Sequence, residues 1–192
     1  MYVVTVDDPT ARIGNLLETY ARSLTRRVDA AIVVDFGIRG AAASVLVAVL
    51  NWAEGCSLEE LRLPLGITQP AATRIVDRLV ADGLITRSRR PDDRREWAIG
   101  LTRTGRARAT HVVATRTAIV ADDVAHIAPE LRDGLTTVLE SLLADQTTGR
   151  VSARSICRFC DADVCGHPVG CPVTAAANQA DAQRRAAAQE AS

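Results

Sequence analysis

Between about residues 9 and 32, apolar side chains return every three to four positions: Ile13, Leu16, Leu17, Tyr20, Leu24, Val28 and Ile32. That spacing is the one-face period of an amphipathic helix. No hairpin partner follows directly, so the face calls for a non-local partner such as another subunit. Gly37 and Gly40 break the pattern. Residues 41–53 are almost all apolar, which predicts a central, buried helix ended by Gly55.

Ser57 with Glu60 three residues on is a capping box, and it opens a short helix through Leu61 and Leu63. Pro64 is expected to end or distort that helix early, and Gly66 to close it. A corner at 66–68 leads directly into the next helix, which has Thr68 as N-cap, Pro70 in the first turn and Gly83 as C′ stop. At about 100° per residue, Ala72, Ile75, Val76, Leu79 and Val80 share one side. Pro70, Thr73, Arg74 and Asp77 fall opposite, with Gln69 and Arg78 on the flanks. The outward N-terminal half carries an amide, hydroxyls and guanidinium forks, groups able to read base edges in a DNA major groove. Helix, tight glycine corner, helix is a helix-turn-helix with the second member as reader.

After Gly83 the period changes. Residues 84–87 and 97–101 have strand character around a charged turn at 89–95, a pattern that predicts a β-hairpin wing. Thr102 caps a helix running to about His126. Pro129 starts another, with Leu131, Leu135, Val138, Leu139, Leu142 and Leu143 at helical spacing. Gly149 is expected to end the compact region. The reading is mainly α with a small β-hairpin wing: a winged helix-turn-helix with a helical dimerisation region. It divides the chain into a DNA-binding and dimerisation domain at 1–149, with reader and wing at 57–102. A Cys-rich metal-binding unit follows at 150–173, then an Ala/Gln-rich tail at 174–192, expected to be weakly helical or disordered.

Composition sharpens this picture. Of 192 residues 47% are hydrophobic but only 3% aromatic, so the core must be Leu, Val, Ile and Ala. The formal net charge of zero argues against a generic polyanion binder, yet the charge is segregated. All 23 basic residues are Arg; from Arg74 to Arg108 ten of them face five acids, whereas from Asp122 to Asp145 six acids face Arg132 alone. A basic middle and an acidic later segment suit one polyanion-facing surface, here double-stranded DNA. The longest apolar run, at 41–50, is too short to span a bilayer, and no charged-then-apolar leader pattern begins the chain. A cytoplasmic protein without membrane partners is expected. In that compartment five cysteines point to metal ligands or redox thiols rather than structural disulfides.

Taken in order, these elements resemble the MarR family of bacterial winged-helix transcription regulators. The resemblance is specific over roughly 57–105. It runs through Leu61 and Leu65-Gly66-Ile67-Thr68-Gln69-Pro70, then Arg74, Asp77-Arg78-Leu79 and Gly83-Leu84-Ile85-Thr86-Arg87. It closes with Asp93-Arg94-Arg95, Leu101-Thr102 and Gly105. Elsewhere only the helical layout agrees. The resemblance implies a homodimer built from the first helix and the last two, a recognition helix in the major groove, and a wing reaching the neighbouring minor groove. By position, Gln69, Pro70, Thr73 and Arg74 fall where the family contacts bases and Arg78 where it contacts the backbone. Asp93 and Arg95 match the D-x-R of the wing, with Asp93 orienting Arg95. On the turn, Arg89, Arg90, Arg94 and Arg95 suit phosphates and a narrow minor groove. Two departures, Arg62 in place of the family's Ala and Pro64 within the supporting helix, bear on the reader's tilt. The family also implies a small-molecule effector site between dimer helices and DNA lobe, which Tyr20, Trp52 and His111 would partly line. The implied function is a sequence-specific transcription regulator, most simply a dimeric repressor on a pseudo-palindromic operator with half-sites about 10 bp apart.

The C-terminal cysteines stand outside that resemblance. Cys157-x2-Cys160-x4-Cys165-x5-Cys171 places four thiols in a loop too small for its own core, with turns at Gly166 and Pro168 and His167 as a spare ligand. Zinc is the first reading, because soft thiolates at knuckle spacing wrap one ion. An iron–sulfur cluster is the alternative, suggested by Cys171-Pro172. A thiol switch and plain reduced thiols are the other readings. With a cluster or a switch, the protein would be a redox- or metal-sensing regulator whose Cys unit controls DNA binding. Cys56 reads as a small buried apolar residue. The chain contains none of H-E-x-x-H, P-loop, G-x-S-x-G or dinucleotide fingerprint, and four thiols would leave zinc no open position, so no enzyme is expected.

Overall fold

A helical frame carries one antiparallel hairpin in the computed structural model of the chain, which describes residues 9–37, 40–89 and 97–190. In chain order the elements are α1 (Pro9–Phe36), α2 (Gly40–Ala48), α3 (Leu58–Leu65), α4 (Gln69–Ala81), β1 (Ile85–Arg89), β2 (Trp97–Leu101), α5 (Arg103–Ala125), α6 (Pro129–Asp145), α7 (Arg150–Ile156) and α8 (Pro172–Glu190). The end of α2 widens into a π turn over Val49–Ala53.

The all-round apolar character of α2 follows from its position between two cores. Val45, Leu46 and Ala48 join Leu61, Val76, Leu79, Ile85, Ile99 and Ala109 in the core beneath the reader and wing. Ala43 and Val47 instead join Val28, Ile32 and Val112, where α1, α2 and α5 meet. A helix serving both cores has no polar face to spare.

The helix-turn-helix forms as its caps predict. Glu60 N–H donates to Ser57 Oγ at 3.3 Å, and Ser57 N–H donates to Glu60 Oε2 at 2.8 Å. Pro64 does not end α3 early. It lies buried in the last turn, and the helix continues through Leu65. So near the C-terminus its ring interrupts only one backbone bond, and burying the ring offsets part of that loss. Gly66 then takes the left-handed conformation at φ 63°, which a side chain would resist. Thr68 caps α4 by accepting from Ala71 N–H at 3.4 Å.

In the hairpin, Ile85 pairs with Leu101 and Arg89 with Trp97. Backbone bonds from Gly55 N–H to the Ile99 carbonyl (2.8 Å) and from Ile99 N–H to the Cys56 carbonyl (2.9 Å) tie β2 to the segment after the π turn. Cys56 is half-buried against this core, as a small apolar residue would be. Gly105 has a spatial reason: a Cβ there would stand 1.8 Å from the Leu84 carbonyl oxygen. The first turn of α5 therefore lies directly on the junction between reader and wing.

The C-terminal part departs from expectation. Gly149 opens α7 rather than ending the compact region, and α7 packs against α3 and α8. The Ala/Gln-rich tail, expected to be weakly helical or disordered, forms α8 through Glu190. Ala, Gln, Arg and Glu are strong helix formers, and Val173, Thr174 and Ala177 give the helix a buried face against its neighbours. Because α8 begins at Pro172, a boundary at 173 falls inside it. No single helix among the described residues is long and apolar enough to cross a membrane.

Candidate nucleic-acid interface and cysteine cluster

Helix α4 buries Ala72, Val76 and Leu79 and half-buries Ile75. Val80, expected on the inner side, is 38% exposed, beyond the edge of the core contact. On the outer side Gln69, Pro70, Arg74 and Arg78 are exposed, and Thr73 is half-buried with its hydroxyl donating to the Gln69 carbonyl at 3.0 Å. The Arg74 guanidinium folds back along its own helix, Nε donating to the Pro70 carbonyl at 3.2 Å. Arg78 pairs with Asp82 at 3.0 Å. Both are exposed contacts of the kind worth about 0–1 kcal/mol, so a phosphate or base edge can replace them at small cost.

Asp77, on the same outer side, reaches Arg87 of β1 at 2.7 Å and links reader to wing. Arg62, one of the two departures, is occupied locally by Glu59 at 2.5 Å. Where β1 ends and β2 begins, the Arg89 guanidinium stacks over the Trp97 ring, 4.1 Å from its centroid. Arg90, Arg94, Arg95 and their neighbour Asp93 lie outside the described residues.

The three residues expected around an effector are not brought together. Tyr20 donates to Asp123 Oδ2 at 2.9 Å. Asp123 lies twelve residues along α5 from His111, about 18 Å at helical rise. Trp52 lines the cysteine cavity.

That cavity, of about 230 Å³, is bordered by Cys157, Cys160, Cys165 and Cys171, together with His167 and the π-turn residues Asn51 and Trp52. All five cysteines are free thiols. Cys171 is buried in a small core with Ala153, Val173 and Ala177. Cys160 Sγ lies 2.9 Å from Cys165 Sγ. A hydrogen bond from Cys160 pulls the Cys157 thiol below its ordinary value, while the same bond, with burial, pushes Cys160 up. Burial and then Cys160 push Cys165 up to about 12. His167 Nδ1 is engaged by the Thr174 hydroxyl at 2.9 Å. Among the described residues, no three His, Cys, Asp or Glu side chains already converge as a preformed ion site.

Two anchoring residues escaped sequence reasoning. Asn51 Nδ2 donates to the Cys160 carbonyl at 2.9 Å, and Arg116 of α5 donates to the Phe159 carbonyl at 2.6 Å. Arg116 also lies over the Phe159 ring, 4.4 Å from its centroid. Trp52, expected beside an effector, lines this cavity instead, and its buried indole N–H has no hydrogen-bond partner among the described residues. Contacts spanning 109 residues, as between Asn51 and Cys160, leave no periodic trace in the sequence.

A capped helix-corner-helix with a hairpin on the same core defines the winged helix-turn-helix class. Comparison with known proteins narrows it. The model of the MarR family matches residues 43–97, from α2 to the start of β2. RV1404 from Mycobacterium tuberculosis is 28% identical in sequence, with a TM-score of 0.62 over 73% of this chain and 95% of that one. A MarR family transcriptional regulator from Rhodococcus sp. RHA1 is 25% identical, with a TM-score of 0.55 over 71% of this chain and 95% of that one. CouR from Rhodococcus jostii RHA1, solved bound to p-coumaroyl-CoA, is 26% identical, with a TM-score of 0.56 over 71% and 94%. No curated protein matches. The chain thus has the fold of MarR family regulators, consistent with DNA-binding transcription regulation; that family consists of DNA-binding proteins, not enzymes. The cysteine unit lies outside the matched segment.

Proposed function

We propose that the protein is a cytoplasmic, sequence-specific DNA-binding transcription regulator that works as a homodimer, most simply by occluding a pseudo-palindromic operator. One observation carries this reading: the exposed outer side of α4, bearing Gln69, Arg74 and Arg78, is held beside the hairpin on a shared core. In the major groove Arg74 would pair bidentately with a guanine, worth about 1–3 kcal/mol of discrimination. The dimer is supported by the exposed apolar residues of α1 and α6. A small-molecule effector is supported by the bound state of CouR.

The test is footprinting of wild type and Arg74→Ala on selected duplexes. The variant is expected to lose sequence preference while retaining salt-dependent binding. Unchanged preference would overturn the assignment.

A second reading, in which the Cys unit controls DNA binding, is favoured by the packing of α7 against α3, the support of the reader. Its test is operator affinity of the wild-type protein with reduced thiols and after mild oxidation.

A further inference from the structure

We infer that Cys157, Cys160, Cys165 and Cys171 form a four-thiolate metal centre seated against the π turn of the DNA-binding lobe. Its occupant is a thiophilic metal in tetrahedral thiolate coordination, either a single zinc ion or an iron–sulfur cluster.

The first ground is convergence of chemistry. Four thiols, spread over the only cysteine-dense stretch of the sequence, border one cavity rather than scattering over a surface. Cys160 and Cys165 are already in sulfur–sulfur contact at 2.9 Å. Since no three ligands are preformed among the described residues, binding means the thiols close around the metal and release their protons to solvent.

The second ground is independent of the cysteines. Trp52, which lines the same cavity, carries an indole N–H that is buried and has no hydrogen-bond partner among the described residues. A buried donor without an acceptor costs about 1–3 kcal/mol, and such orphans call for a missing acceptor. Thiolate or sulfide sulfur supplies one, and hydrogen bonds to sulfur are a usual outer-shell feature of such centres. Arg150 and Arg154 border the same cavity, and the Arg154 guanidinium lies 5.0 Å from the Trp52 ring centroid. Their positive charge, that of Arg150 shared with Asp181 at 3.7 Å, offsets part of the surplus negative charge of four thiolates around one divalent ion.

The third ground is the mounting. The Cys157–Cys160 knuckle is fixed to the lobe through the Asn51–Cys160 carbonyl bond and through Arg116 on the Phe159 carbonyl. Outer-shell anchors of this kind orient first-shell ligands. π turns are rare and cluster at functional sites, and this one presents both Asn51 and Trp52 to the cysteines.

The inference does not depend on DNA binding, and its test does not use DNA. The full chain is purified both anaerobically and in air, and its zinc, iron, acid-labile sulfide and visible spectrum are measured. The expected result is one centre per chain: colourless with one zinc, or brown with iron and sulfide. Cys160→Ser and Cys171→Ser should lose the metal, whereas Cys56→Ser should keep it. In case the variants fail to fold, wild-type protein stripped of metal is titrated with Co²⁺, which should give thiolate charge-transfer and tetrahedral absorption bands saturating at one equivalent. Absence of metal from both preparations together with no such bands would overturn the inference. So would full metal retention in folded Cys160→Ser and Cys171→Ser proteins.

Discussion

Asp77 on α4 and Arg87 on β1 form an ion pair of 2.7 Å that joins the reader to the wing. Both side chains are partly exposed, at 54% and 31%, so the pair is worth at most about 1 kcal/mol and is screened by salt. A double-mutant cycle with Asp77→Ala and Arg87→Ala is expected to show a coupling of about 0.2–1 kcal/mol in thermal unfolding at low salt, shrinking at high salt. Zero coupling at low salt would mean that core packing alone sets the angle between the two elements.

Arg89 tests the wing. Stacked on Trp97 where β1 ends and β2 begins, it places a guanidinium on the wing, off the reader helix. Arg89→Ala should weaken binding to operator and unrelated duplex alike and lower the salt slope by roughly one ion. Arg90→Ala is expected to behave in the same way. A loss confined to the operator would place these side chains among the base readers instead.

Gly105 is fixed by space rather than by backbone conformation. An added Cβ would meet the Leu84 carbonyl oxygen at 1.8 Å, a contact only backbone movement can relieve. That carbonyl also accepts from Thr102 N–H at 3.1 Å, so movement there loosens the cap of α5 as well. Gly105→Ala should cost about 1–3 kcal/mol, the usual penalty for overpacking, read as a fall in Tm. An unchanged Tm would show that the α5 junction is softer than its geometry indicates.

These positions also show what the sequence could and could not convey. Ser57, Glu60, Gly66, Thr68 and Gly83 are local signals: each acts through a backbone group a few residues away, and the reader follows from them alone. Gly105 is legible as part of a pattern, but its reason lies at Leu84 across the junction. The mounting of the cysteines was hidden for the same cause. Asn51 sits in a helix that reads as uniformly apolar, and its partner Cys160 is 109 residues later. Pro64 and the tail misled for another reason, since local propensity says little about a ring buried in a last turn or a helix docked on a neighbour.

Acid sensitivity should localise to Asp123. Its carboxylate accepts from Arg27 at 2.8 Å and from the Tyr20 hydroxyl at 2.9 Å, and these two bonds, Arg27 first, hold it below the usual carboxylate range. A depressed folded value means the stabilisation is full above the ordinary carboxylate pKa and is lost as pH falls through the depressed one. Asp123→Asn should therefore lower Tm at neutral pH and flatten its decline on the acid side. A parallel decline in both proteins would show that other carboxylates carry it.

Helix α6 buries no residue within the protomer, although Leu131, Leu135, Val138, Leu139, Leu142 and Leu143 repeat at helical spacing. On α1, Ile13, Leu16, Leu17 and Tyr20 are exposed as well. Two long helices with apolar faces in water amount to more than the scattered exposure of an ordinary monomer. A second copy of the chain would cover them and set two reader helices on one duplex. Leu139→Asp puts a charge in that surface without touching the buried core of the protomer. It should leave far-UV circular dichroism unchanged, shift the sedimentation coefficient from dimer to monomer, and weaken operator binding far more than binding to an isolated half-site. A wild-type protein that sediments as a monomer at micromolar concentration would defeat the dimer reading and would leave the two apolar faces to a different partner.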